Sequence, residues 1–153
     1  MVTKEKKIEK ICSFYASEYH LEMIMIPYIN KKIDEQVNVE IITEKELSET
    51  AKEVIARINI PEKRKKEILK IDWNNNKIEK ARKNEKKREK VIFVIGKQNY
   101  IKKINKELNK ILEKNIKLKV VNCYSLEDIQ NNMTEIVGNY TKVLNTTEEK
   151  EIC

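Results

Sequence analysis

Glycine is almost missing from this chain: there are two in 153 residues, Gly96 and Gly138. That shortage excludes a fold that wraps phosphates in glycine-rich loops or turns through many tight corners. Proline is as rare, at Pro27 and Pro61, and histidine occurs once, at His20. A lone histidine supplies neither a metal cluster nor a Ser–His–Asp arrangement. The three cysteines, Cys12, Cys123 and Cys153, do not form the pattern of a disulfide framework or a zinc knuckle. Cys12 and Cys123 read instead as small buried residues. No apolar run approaches transmembrane length, and the amino terminus MVTKEKKIEK lacks the apolar core of a signal peptide. The expected setting is the cytoplasm, with no membrane partner.

What the chain does have is charge and apolar periodicity. Charged residues make up 37% and apolar residues 40%. The apolar ones are periodic, which argues against disorder. Five short apolar runs, Lys10–Tyr15, Val37–Thr43, Ile68–Trp73, Val91–Gly96 and Ile116–Tyr124, alternate with helix-like or charged stretches. Strands alternating with amphipathic helices imply parallel pairing through long crossovers. The expected fold is α/β, a three-layer sandwich with a mostly parallel five-stranded sheet of RecA or Rossmann type and no Walker motifs. It occupies a single domain over 1–153, with a core of about 8–145.

Helical spacing fills the intervals. Glu18–Asp34 places Leu21, Ile24, Met25, Tyr28 and Ile29 on one face, with Pro27 bending it. A second helix opens near Thr43-Glu44-Lys45-Glu46 and carries the stripe Leu47, Ala51, Val54, Ile55 and Ile58. Pro61–Glu67 reads as a charged connector. Ile101, Ile104, Leu108, Ile111 and Leu112 mark another helix. A last one starts at Ser125, a cap with Asp128 three residues on, and buries Leu126, Ile129, Met133, Ile136, Val137 and Tyr140. Residues 146–153 read as a frayed tail.

The formal net charge is +7, and residues 77–90 alone carry eight basic and three acidic side chains. With only Ile78 and Ala81 as apolar anchors, this stretch predicts a short exposed helix or a flexible segment. Lys80, Arg82, Lys83, Lys86, Lys87 and Arg88 are the candidates for polyanion binding, supported by Lys63–Lys66. The abundance of Lys, Asn and Ile also fits plain compositional bias, and charge steers binding without specifying it.

Parallel α/β sheets bind ligands at the carboxyl ends of their strands. There the chain offers Phe14, Tyr15, Ser17 and His20 after the first run, and Asp72 and Trp73 after the third. Gly96 and Lys97 follow the fourth run, and Cys123 and Tyr124 close the fifth. Asp72 has the chemistry of a base or a metal ligand and equally that of a turn cap. Lys97 has the chemistry to meet a phosphate or a carboxylate. Together these side chains make an aromatic rim with one Asp and one Lys, which suits ligand sensing better than catalysis. No catalytic set, metal or cofactor is implied.

The order of these pieces resembles the MEDS domain, a sensory module of DcmR-type regulators and methanogen proteins, over about residues 8–145. Ile11-Cys12-Ser13-Phe14-Tyr15 is similar to the family's opening strand, Ile26-Pro27-Tyr28 to its apolar-Pro-aromatic step, and Val39-Glu40-Ile41-Ile42-Thr43-Glu44 to its second strand. Val94-Ile95-Gly96, Val121-Asn122-Cys123-Tyr124 and a closing Val143-Leu144 continue the match. Lys10 and Tyr140 stand where family members usually carry histidines, and Lys97 where they carry an acid. The resemblance implies a divergent stand-alone member with a degenerate RecA/KaiC-like fold. It implies a non-catalytic sensory or signalling role, with a small ligand or a regulatory protein (a kinase or transcription regulator) as partner, or action as a homodimer. The alternatives from composition are a basic nucleic-acid or polyanion-binding protein and a small α/β enzyme using Asp72, Lys97 or Cys123.

Overall fold

The computed structural model describes residues 8–78, 89–111, 117–146 and 148–152. In chain order the elements are β1 (Ile8–Tyr15), α1 (Glu18–Asp34), β2 (Asn38–Thr43), α2 (Ser48–Arg57), α3 (Glu62–Leu69) and β3 (Glu89–Gly96). Then follow α4 (Gln98–Ile111), β4 (Lys117–Ser125), α5 (Met133–Val137), β5 (Lys142–Leu144) and β6 (Glu149–Glu151). The strands form one six-stranded sheet in the order β2-β3-β4-β1-β5-β6. All pairings are parallel except β5 with β6, which is antiparallel. Helices cover both faces, so the architecture is the expected three-layer α/β sandwich.

Strand alternation sorts the apolar residues into two cores. Ile11, Tyr15, Ile41, Phe93, Ile95, Val121 and Cys123 belong to the core that α1, α2 and α3 cover. Cys12, Ile42, Ile92, Val94, Val120 and Tyr124 pack with Ile101, Ile104 and Leu108 of α4 and with Ile129 and Ile136. The VIFVIG run of β3 is buried throughout, as a strand covered on both faces must be. Each Ile, Val or Phe so buried contributes about 1.5–3 kcal/mol.

Helix α1 forms where the periodicity predicts. Ser17, in extended backbone, caps it by accepting from the His20 N–H at 3.2 Å. The helix runs through Pro27 and stops in a Schellman turn: the Gln36 N–H donates to the Ile33 carbonyl at 3.0 Å and the Val37 N–H to the Lys32 carbonyl at 2.9 Å. Gln36 adopts φ 61°, the left-handed conformation that normally falls to glycine. This chain, poor in glycine, spends a glutamine there.

Four sequence expectations are corrected, and the sheet has six strands rather than the expected five. The run Ile68–Trp73 is not a strand. Its first two residues end α3, where Ile68 is buried in the core, and the rest turns back so that the Trp73 indole N–H donates to the Ile68 carbonyl at 3.1 Å. A short apolar run fits either period, and Ile68 and Trp73 are five apart, within reach of one another around a helix end. The chain then runs along the open edge of β2: the Thr43 N–H donates to the Asn75 carbonyl at 2.7 Å, and the Asn75 amide to the Ile41 carbonyl at 3.0 Å. The presumed connector Pro61–Glu67 supplies most of α3. Its Arg64 donates from Nη1 to the Asn30 carbonyl at 2.8 Å and from Nη2 to Asp34 Oδ1 at 2.6 Å, tying α3 to α1. The long helix expected from Ser125 is broken into turns and the short α5, because Leu126 N–H is engaged by the Tyr15 carbonyl at 2.9 Å and Asp128 is drawn to α4. Ile129 and Ile136 are buried as expected, whereas Met133 is exposed.

The expected tail forms β6 instead. Its Glu149 Oε2 accepts from the Tyr28 hydroxyl at 2.7 Å and from Lys119 Nζ at 3.0 Å, and Lys142 and Lys119 each bridge to Glu9. Burial pushes the Glu149 carboxyl up, but the Tyr28 and Lys119 hydrogen bonds outweigh it and hold the group below the usual carboxylate range. The basic stretch 79–88, with all six polyanion candidates, lies outside the described residues.

Two outcomes follow from these contacts. Gln36→Gly should raise stability by about 0.5–1 kcal/mol in urea unfolding, since it relieves the left-handed strain of a residue bearing Cβ. Because the folded pKa of Glu149 lies below its unfolded value, its contribution is present above the unfolded pKa and lost as pH falls through the folded one. Wild type should therefore lose more stability than Glu149→Gln between about pH 5.5 and pH 3, compared at matched salt.

Candidate ligand cleft at the strand carboxyl ends

The connection leaving β1 goes to α1 on one face, and the connection leaving its neighbour β4 goes to Ile129 and α5 on the other. Adjacent strands whose connections part in this way leave a crevice at their carboxyl ends, the usual ligand position in open α/β sheets. A cleft of about 430 Å³ opens there, lined by Tyr15, Lys45, Gly96, Lys97, Ser125, Glu127 and Asp128.

The walls are made by the turns themselves. Tyr15, the last residue of β1, is 3% exposed. Its phenol is raised well above the ordinary value by burial first, then by Cys123, Glu18, Asp128 and Glu44. It remains a neutral hydrogen-bonding group at neutral pH. Gly96 ends β3 under a tight roof: a Cβ there would lie 2.7 Å from Tyr100 Cδ2 and 2.9 Å from Glu44 Cβ. Lys45 reaches Glu18 at 3.6 Å. Among the described residues, the Lys97 ammonium makes no ion pair.

The helix starts around this cleft, where a sheet of this type would hold a phosphate, are filled from within. At α4, Glu44 Oε1 accepts from the Lys97 N–H at 2.9 Å and Asp128 Oδ2 from the Gln98 N–H at 3.1 Å. At α2, Asn74 Oδ1 accepts from the Leu47 and Ser48 N–H groups at 2.9 and 3.0 Å. At α1, besides the Ser17 cap, the Ala16 N–H donates to His20 Nδ1 at 2.9 Å. The two carboxylates at the start of α4 take its Lys97 and Gln98 N–H groups and repel an incoming anion.

The residues singled out from sequence divide accordingly. Tyr15, Gly96 and Lys97 line the cleft. Ser17 and His20 do not line it and serve the start of α1. Phe14 and Tyr124 stack on each other with ring centroids 5.9 Å apart, next to Tyr140, in the core shared with α4. Cys123 is fully buried on the opposite face. Burial pushes the Cys12 thiol up to about 11 and the Cys123 thiol higher still, so neither offers a thiolate. Asp72 and Trp73 sit in the turn after α3, where Asp72 Oδ1 accepts from the Asn74 N–H at 3.0 Å and so helps aim the α2 cap.

Sequence reasoning missed Glu44, Lys45, Ser125, Glu127 and Asp128 as parts of one place. Glu44, Lys45, Glu127 and Asp128 all fall within four residues after a strand, a signal available in the pattern, but local spacing ties Asp128 to a helix starting at Ser125 rather than to α4. Among the described residues no three His, Cys, Asp or Glu side chains come together as a metal set. None of their helices is long and apolar enough to cross a membrane.

Compared with family models, curated proteins and solved structures, the chain matches none.

The roof over Gly96 gives a direct check. Gly96→Ala should cost about 1–3 kcal/mol of stability in chemical unfolding, because Glu44 must shift and its bond to the Lys97 N–H is disturbed.

Proposed function

We propose that this chain is a non-catalytic sensory or signalling module, of the kind the MEDS resemblance implies, that takes a small ligand or a regulatory protein in the cleft at the carboxyl ends of β1, β3 and β4. The observation that carries this reading is the inward capping of α4: Glu44 and Asp128 hold the Lys97 and Gln98 amides, two of those that a nucleotide phosphate would use. What is left facing the cleft is binding chemistry: the Lys97 ammonium, the neutral Tyr15 phenol and the carboxylates of Glu127 and Asp128. A ligand carrying both an acidic and a basic or hydroxyl group matches that set. Neither described thiol is activated, and the Nδ1 of His20 is spent on a backbone N–H, so among the described residues these groups form no nucleophile–base pair. Output would pass to a kinase, a transcription regulator or a second copy of the chain in the cytoplasm.

Native mass spectrometry of the protein purified gently from its own cells tests this reading. A small molecule or protein should be retained in stoichiometric amount, and Lys97→Ala should weaken its hold tenfold or more, about 1.4 kcal/mol. Retention unaffected by Lys97→Ala places the binding elsewhere. A bare chain whose nucleic-acid affinity falls steeply with salt transfers the role to the basic stretch 77–90.

A further inference from the structure

Glu22 lies in the second turn of α1, facing α2, and is 0% exposed. Such a carboxyl is ordinarily found paired with a cation, and among the described residues none pairs with it. Its Oε2 is hydrogen-bonded to the Thr50 hydroxyl of α2, and its Oε1 is buried with no partner at all.

The Thr50 hydroxyl also contacts the Leu47 carbonyl, at 3.2 Å. The Leu47 carbonyl already accepts from the Ala51 N–H at 2.9 Å, so it does not depend on Thr50. If Glu22 is ionised, the single Thr50 hydrogen is all that offsets a buried charge, and Oε1 is bare. If Glu22 is protonated, its own O–H can donate to Thr50 Oγ1, and Thr50 can turn its hydrogen to Leu47. The closed, water-free seam therefore favours the neutral acid.

The charged neighbours agree. Glu18 is one turn back on α1, and Glu53 is one turn on from Thr50 in α2. Glu18 is answered by Lys45 from the β2–α2 connection at 3.6 Å, and Glu53 accepts from the Tyr19 hydroxyl at 2.7 Å, with Arg57 acting on that same tyrosine. Among the described residues no counter-charge reaches Glu22 itself.

We propose that Glu22 is a proton-operated latch between α1 and α2: the neutral acid closes the seam, and ionisation loosens α2 so that water can reach the carboxylate. Burial raises this carboxyl to about 7 despite the Thr50 bond, with Glu18 and Glu53 adding to the rise. The sign follows. The folded pKa lies above the unfolded value of 4.5, so the closed seam is fully favoured below that value and loses stability as pH rises through 7. The latch operates whether or not the cleft holds anything.

The test is hydrogen–deuterium exchange of wild type between pH 5 and pH 8.5, corrected for intrinsic exchange, with the Glu22 carboxyl followed by carbon NMR. Protection of the α2 amides should fall by about tenfold per pH unit up to about 7 and then level off, while α4 serves as the internal reference. The Glu22 carboxyl should titrate near 7. Glu22→Gln should abolish the decline while leaving His20 in place, so a decline that survives Glu22→Gln belongs to another group and overturns the proposal. A Glu22 midpoint below about 5 in wild type overturns it without any variant.

Discussion

Hydrogen bonding along β1 is the constraint on which the rest of the molecule depends. This strand has β4 on one side, in register from Ile8 with Leu118 to Tyr15 with Ser125, and β5 on the other. A parallel strand with two neighbours has both its backbone edges in use and both its faces to be covered. Ile11 faces α1 to α3 and Cys12 faces the α4 side, so one strand seeds two cores. It also fixes where the chain must leave the sheet, since α1 departs to one face while β4 departs to the other. The cleft is the space that parting leaves. Ser13 reinforces the arrangement by donating to the Leu144 carbonyl at 2.8 Å from a fully buried position, which holds the short β5 against β1.

A second constraint comes from the helix ends. Every helix that begins at the carboxyl edge of the sheet presents backbone N–H groups that need partners. Many α/β proteins leave them for a phosphate. Here Glu44, Asp128, Asn74 and Ser17 take them, and each is delivered by a turn of the same chain. Three of the four cross between elements: Asn74 from the turn after α3 onto α2, and Glu44 from the β2–α2 connection and Asp128 from the segment after β4, both onto α4. These donors serve internal ties between elements rather than a bound phosphate.

Much of this was legible in the sequence, and the limits are instructive. Strands β1, β2, β3 and β4 and helices α1 and α4 carry clean apolar periods and fall where those periods put them. The failures cluster where a short apolar run has two readings. Ile68–Trp73 alternates well enough for a strand, yet Ile68 and Trp73 pack into the core from a helix end and the turn beyond it. Segments β5 and β6 are three residues each, β6 entirely charged, and are held by partners distant in sequence: Tyr28, Lys119 and Glu9. No local period announces them. At the cleft, strand-end logic found Tyr15, Gly96 and Lys97 because their place depends only on where a strand stops. It could not find Glu44 and Asp128 as caps of α4, because that depends on which strands are neighbours.

The two borders of the sheet share a property of a different kind. The carboxyl half of β2 is bound by Asn75, which occupies the Thr43 N–H and the Ile41 carbonyl. At the opposite border β6 is only Glu149-Lys150-Glu151, short and alternating in sign. Borders of these two kinds are what β proteins use to keep further strands from adding. Both described borders of the sheet are thus shaped against the in-plane addition of another strand, one by a turn of its own chain and the other by its shortness and its charges.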